Sequence, residues 1–259
     1  MQKSLNNTKT SNNQLIEKRR RRKKIRRGFL LIVILLSLST TLCLKLPYFN
    51  IKNIEVINNR NIPSQEIIDL STLTLGKNIF YLNFKKAKTN ILTNSYILNV
   101  ELKRKLPNRI VISVEERTAI FYIKKEDKYL IVDSAGIILE EKELINNMKL
   151  IKLEGFDKIN YEVGKSIESD EGRVKLIEEM TKLIKNLNEG VPEPSIVDLV
   201  DTTDIKVFYG DMAIKLGTSS SLVEKYNRGL NILMQQELLG KKGYIDVSYK
   251  SDPVFMVSD

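Results

Sequence analysis

The chain changes character abruptly near its start. After a polar opening, Gly28 to Leu44 (GFLLIVILLSLSTTLCL) carries no charge, and apolar residues resume past Lys45 at Leu46, Pro47, Tyr48 and Phe49. A helix over that run is about 26 Å long at ~1.5 Å per residue. With Lys45 snorkelling and Tyr48 at the interface, it suffices to cross a hydrocarbon layer of ~30 Å. Past it the apolar positions recur in short, mixed periods. Ile51, Ile54 and Val56 predict a strand ending at Asn58 and Asn59. A short helix follows, with Ser64 as its N-cap and Ile67, Ile68 and Leu70 on its apolar side. Beyond a turn at Gly76, Asn83 caps a second helix, in which Phe84, Ala87, Ile91 and Leu92 recur at helical spacing.

YILNVELKRKL and RIVISVEER then form a hairpin turning at Pro107 and Asn108, with Ile110, Ile112 and Val114 alternating against Val111, Ser113 and Glu115. Strand, helix, helix, strand, strand over ~70 residues describes a small α+β module with its helices on one sheet face. From residue 118 to about 250 a second set of elements follows. AIFYIK and YLIVDSAGIIL make a hairpin turning at Asp133 to Gly136. A helix is expected from about Asp170 to Leu187, with Val174, Ile177, Met180, Thr181, Ile184 and Leu187 facing a core, ended by Gly190 and Pro192. Strands recur at IVDLVD, DIKVFY and MAIKLG. Ser221 and Glu224 open a last helix, LVEKYNRGLNILMQQELL, closed by Gly240, and YIDVSYK is the last strand. Gly210, Gly217, Gly240 and Gly243 are isolated, as turn or cap glycines are. The fold class is α+β: one transmembrane helix, a small β-α-α-β-β module, and a mixed antiparallel-sheet domain with two helices.

Charge alters this picture once it is located. The formal net charge of +10 over 259 residues resembles a nucleic-acid signal, but residues 1 to 27 hold eleven Lys or Arg against the single Glu17. The remainder is balanced at 31 basic and 31 acidic residues, so it exerts no general pull on DNA or RNA. Arg19, Arg20, Arg21, Arg22, Lys23, Lys24, Arg26 and Arg27 directly precede the apolar run. They are an orientation signal that keeps the N-terminus cytoplasmic and the C-terminus outside. A cleaved signal peptide fits less well, because the run is too long and no A-x-A-like site follows. Residues 1 to 16, rich in Asn, Thr and Ser, are expected to form a disordered tail.

Histidine is absent, and the one cysteine, Cys43, lies inside the apolar run. That removes His-based and four-cysteine zinc sites, Ser-His-Asp and Cys-His catalysis, and any intramolecular disulfide. A membrane-anchored wall enzyme, the alternative function, would need a carboxylate pair or a Ser-Lys dyad at recognisable spacing, and none is visible. Glu115 and Glu116 read as an ordinary solvated strand end rather than an acid/base pair. No catalytic, cofactor or metal residue is therefore expected.

The strings FNIKNIEVINNRNIPSQEII, GKNIF and VELKRKLPNRIVISVEER resemble the POTRA module of the bacterial FtsQ/DivIB cell-division family. The most specific part is R-x-L-P-N-x-I-x-I-x-V-x-E-R, carried by Arg104, Leu106, Pro107, Asn108, Ile110, Ile112, Val114, Glu116 and Arg117. YLIVDSAGIILEE, LIKLEGF, KLGTSSSLVEKYNRGLNIL (with Lys225) and GYIDVSY follow in the family's order. The resemblance implies a cytoplasmic tail at 1–27, a transmembrane helix at 28–46, a POTRA domain at 49–117, the family's β domain at 118–250 and a C-terminal tail at 251–259. It also implies a non-enzymatic, single-pass type II membrane scaffold at the division septum. Its partners would be FtsL and FtsB (DivIC), bound by strand addition at the closing strand. That places Ile245, Val247 and Tyr249, with Val254, Phe255 and Met256, in the partner interface. Weaker lateral contacts are expected on the POTRA face near Tyr96 to Lys105.

Overall fold

A computed structural model describes residues 2–146, 148–156, 159–167, 171–187, 190–249 and 251–258, with side chains from Arg19 onward. The chain divides into two compact units: Met1–Ile57, Pro63–Lys88 and Glu101–Ser113 in one, Asn58–Ile62, Thr89–Val100 and Val114–Asp259 in the other.

The first unit opens with one helix, α1 (Gln2–Lys45). The expected disordered tail is therefore helical back to Gln2. Once the apolar run has formed a helix, each further residue adds a backbone bond without a new nucleus. Within α1, Arg19–Lys45 is the one helix among the described residues long and apolar enough to cross a membrane. A 3-10 turn, Pro47–Phe49, leads to β1 (Asn53–Ile57), α2 (Ser64–Ser71), a second 3-10 turn at Ile79–Tyr81, and α3 (Phe84–Ile91). The hairpin β2 (Ile97–Lys105) and β3 (Arg109–Glu116) completes a three-stranded sheet of order β1, β3, β2. β1 runs parallel to β3, pairing Ile54 with Ile110 and Val56 with Ile112. The inward set of the alternation is buried at Ile110, Ile112 and Val114, as are Ile67 of α2 and Ala87 of α3. Asn83 caps α3 as expected, its Oδ1 accepting the N–H of Lys86 at 3.0 Å. For α2 the N-cap is Pro63 rather than Ser64, since the ring fixes an extended conformation (φ −58°, ψ 138°) one residue earlier. Leu92 falls past the end of α3 and is exposed.

The second unit is a nine-stranded sheet. Its strands are β4 (Ala119–Lys125), β5 (Lys128–Asp133), β6 (Ile138–Lys142), β7 (Ile151–Glu154), β8 (Ile196–Asp198), β9 (Ile205–Tyr209), β10 (Met212–Gly217), β11 (Lys242–Asp246) and β12 (Val254–Ser258). In space they run β12, β11, β10, β9, β8, β7, β4, β5, β6. α4 (Glu171–Lys185) and α5 (Leu222–Gln235) join the same core, through Leu176, Ile177, Met180 and Ile184 of α4 and Tyr226, Leu230 and Leu233 of α5. Asp170, the expected start of α4, and Lys250 lie outside the described residues. α5 stops at Gln235, short of Leu239. Glu237 takes a left-handed conformation, which lets Leu238 fold back into the core with its N–H on the Leu233 carbonyl. Ser221 holds the N-cap position in a left-handed conformation without a side-chain cap bond. Tyr226 and Tyr209 share a buried hydroxyl bond of 2.7 Å that ties α5 to β9, and burial pushes the Tyr226 phenol up to about 12.

Glu116 is not a solvated strand end. Its carboxylate accepts the backbone N–H groups of Arg60, Asn61 and Ile62 at 2.8, 2.9 and 3.2 Å, closing the loop after β1. Burial pushes its pKa up, but the three backbone bonds together outweigh that and hold the carboxyl below its usual value. Next to it, Arg117 pairs at 2.7 Å with Asp133, which is 2% exposed and whose other oxygen accepts from the N–H groups of Ala135 and Ile137. These bonds tie residues 60–62 to Glu116 and Arg117 to Asp133.

Candidate partner-binding edge

The sheet of the second unit ends in two unlike strands. β6 has a guarded edge. Its Ile138 N–H donates to the Lys165 carbonyl at 2.9 Å, and Gly164 N–H donates to the Ile138 carbonyl at 2.7 Å. Ser95 hydroxyl bonds the Leu139 carbonyl, Tyr96 hydroxyl bonds Glu140, and Glu141 is held by both Lys128 and Tyr161. Burial, reinforced by Glu140, pushes the Tyr96 phenol well above its usual pKa, so it stays a donor.

β12 is the opposite case. It pairs antiparallel with β11, Ile245 facing Phe255 and Gly243 facing Val257, and among the described strands none pairs on its far side. All five residues are exposed: Val254 at 59%, Phe255 at 47%, Met256 at 53%, Val257 at 40%, and Ser258. An uncharged apolar edge with free backbone groups is a template for strand addition, which proteins ordinarily blunt. β12 lies within the stretch expected to be a tail, because its backbone bonds to β11 override the turn signal at Ser251 to Pro253.

The structure separates the residues that the sequence grouped together. Val254, Phe255 and Met256 lie on the open edge, and Tyr249 is 74% exposed in the turn before it. Ile245 and Val247 do not: they are 0% and 1% exposed. β11 lies between β10 and β12 and beneath α5, so its inward residues point into the core and cannot meet a partner. Val257, 40% exposed on the same edge, lies outside the residues that the sequence pointed to. Gly243 is neither a turn nor a cap glycine. It lies within β11, and a Cβ there would stand 2.0 Å from the Met256 carbonyl oxygen, so only glycine lets β12 approach. A cleft of about 300 Å³ lined by Tyr244, Asp246, Tyr249, Ser251, Asp252 and Val254 opens at the head of β12, with the Lys215 ammonium 4.0 Å from the Tyr244 ring centre.

In the three-stranded sheet, β2 is an edge strand whose exposed Glu101 and Lys103 pair with each other, while Tyr96 is engaged by Glu140. Arg19 to Arg27, the stretch expected to set orientation, is exposed along α1.

The model of the FtsQ-type POTRA domain matches residues 49–117. Cell division protein DivIB of Clostridium botulinum (strain Hall) is 43% identical over 224 residues, 86% of this chain and 87% of that protein. DivIB of Clostridium acetobutylicum is 43% identical over 221 residues, 85% and 88% of the two chains. Cell division protein FtsQ of Syntrophotalea carbinolica is 27% identical over 212 residues, 78% and 71%. Likeness on that scale, over most of the chain, makes this chain a member of the FtsQ/DivIB family of cell division proteins, with one N-terminal helix long and apolar enough to cross a membrane.

Proposed function

We propose that the chain is a non-enzymatic, single-pass scaffold of the septal wall-building complex, with its N-terminus cytoplasmic and everything past Lys45 outside. The nine basic residues in ten at Lys18 to Arg27 support that orientation. The neutral, histidine-free remainder supports binding over chemistry. Its partners are single-pass division proteins of the FtsL and FtsB (DivIC) type, one of which adds a segment to β12. Tyr249, Val254, Phe255, Met256 and Val257 then contact that segment, main-chain bonds giving affinity and alternate side chains giving specificity.

The observation that carries this reading is the uncharged, exposed, unpaired edge of β12. The test is capture of a DivIC-type partner by the full-length protein in detergent or nanodiscs. Phe255→Glu is expected to weaken capture at least about thirtyfold, as loss of a central aromatic anchor at ~2–4 kcal/mol does. Its melting temperature should barely move, because the side chain is exposed already. Undiminished capture by a folded Phe255→Glu protein would refute strand addition here. A fluorescently tagged chain should collect at mid-cell, and a uniform membrane signal would count against septal recruitment.

A further inference from the structure

We propose that the end of the POTRA module nearest α1 rests on the phospholipid headgroup interface, so that the membrane is held by this surface as well as by the span. The proposal rests on the reading of α1 as a membrane anchor. Its starting point is Asn78. That side chain is 9% exposed, and its Nδ2 donates to the carbonyls of Cys43 and Leu44 at 3.0 and 3.2 Å while its Oδ1 accepts the N–H of Phe80 at 2.9 Å. These carbonyls belong to the last turn of α1, where no intrahelical donor remains. The segment around Asn78 is thus hydrogen-bonded to backbone lying at the hydrocarbon boundary. Its depth is set.

Two more loops are tied to the same place. Ile51 N–H donates to the Lys77 carbonyl at 2.9 Å, and Lys52 N–H donates to the Asn108 carbonyl at 2.8 Å, so the turns before Asn78 and between β2 and β3 hang beside the exit of the chain. Arg104 braces the segment, its Nε on the Ile79 carbonyl at 2.9 Å and its guanidinium 4.1 Å over Phe84. The rings of Phe49 and Phe80 pack at 5.4 Å. Between residues 50 and 117 the three most exposed large apolar side chains are Tyr81 at 67%, Leu75 at 63% and Leu106 at 61%, and all three sit on these loops. Tyr48, 62% exposed, and the exposed lysines Lys45 and Lys77 accompany them. Scattered apolar side chains on a surface need no explanation, but these lie on loops hydrogen-bonded to α1 or to the residues that follow it. Tyrosine with leucine and lysine is the composition that the interface favours, rings at headgroup level and ammonium groups toward phosphate.

The chain contains no tryptophan, so a single indole reports one site. Tyr81→Trp and, separately, Leu75→Trp and Leu36→Trp are made in the full chain and reconstituted in phosphatidylglycerol/phosphatidylcholine vesicles. Each is compared with and without bromine on the acyl chains. Fluorescence from positions 81 and 75 should be quenched by bromine near the headgroup end, and more weakly by deep bromine, while position 36 shows the reverse order. Quenching at 36 without quenching at 81 or 75 overturns the proposal and leaves the span intact. Absence of quenching at all three overturns the span and the proposal with it.

Discussion

The two ends of the nine-stranded sheet face the same hazard and meet it in opposite ways. β6 carries Glu140, Glu141 and Lys142, its outer backbone is met by residues 164–165 and Ser95, and its charges are held by Tyr96, Tyr161 and Lys128. β12 carries Val, Phe, Met, Val and Ser, all exposed, with none of these devices. An unblunted apolar edge invites indiscriminate pairing. That one edge is guarded and the other bare is the contrast on which the strand-addition proposal rests. Proximity along the chain does not explain the contrast, since β11, one strand in from β12, is as well buried as the sheet centre at Ile245.

The sharpest way to break the comparison is to remove the open edge without touching its residues. Gly243→Ala drives a methyl group into the Met256 carbonyl and should lift β12 from β11. Partner affinity is expected to fall at least about 100-fold, about 2.7 kcal/mol, while hydrogen exchange accelerates at residues 254–258 and not in β9 or β10. Preserved affinity would mean that β12 is not the binding strand.

Away from both edges, the carboxylate of Glu116 closes the loop at residues 60–62. Glu116→Gln should cost about 1–3 kcal/mol at neutral pH, measured by denaturant melts, because a charged acceptor of three backbone bonds becomes neutral. The folded-state pKa of Glu116 is depressed, so its contribution is complete above the unfolded value of about 4.3 and is lost as pH falls through the folded one. The gap between wild type and variant should therefore close below pH 4. A gap that persists at low pH would show that the carboxylate charge is not what matters. The smallest effect is expected from Tyr96→Phe, which removes the hydroxyl bond to Glu140. It should cost about 1 kcal/mol of stability and leave partner affinity unchanged, and any loss of affinity would make the two edges interdependent.

Much of the architecture was legible because it is written in local periods. The alternation in Ile110, Ile112 and Val114, the Asn83 cap and the turn at Asp133 to Gly136 each appear where expected. Glu116 and Arg104 stood in the recognisable motif, but their bonding partners lie 54 to 56 and 22 to 25 residues away in sequence, and no local pattern carries that. The candidate interface was read only partly, because period 2 shows that a strand has two faces and not which neighbours cover them. Ile245 and Phe255 stand opposite each other in register, yet one is core and the other is surface.

By itself, the sequence determined the apolar span, the balance of charge beyond it, the absence of histidine chemistry and much of the order of elements, since each depends on composition or short-range spacing. Tertiary structure alone decided which strand ends the sheet, which of two adjacent apolar strands lies under α5, and which polar side chains close distant loops. Burial and edge position depend on what other parts of the chain cover or leave bare.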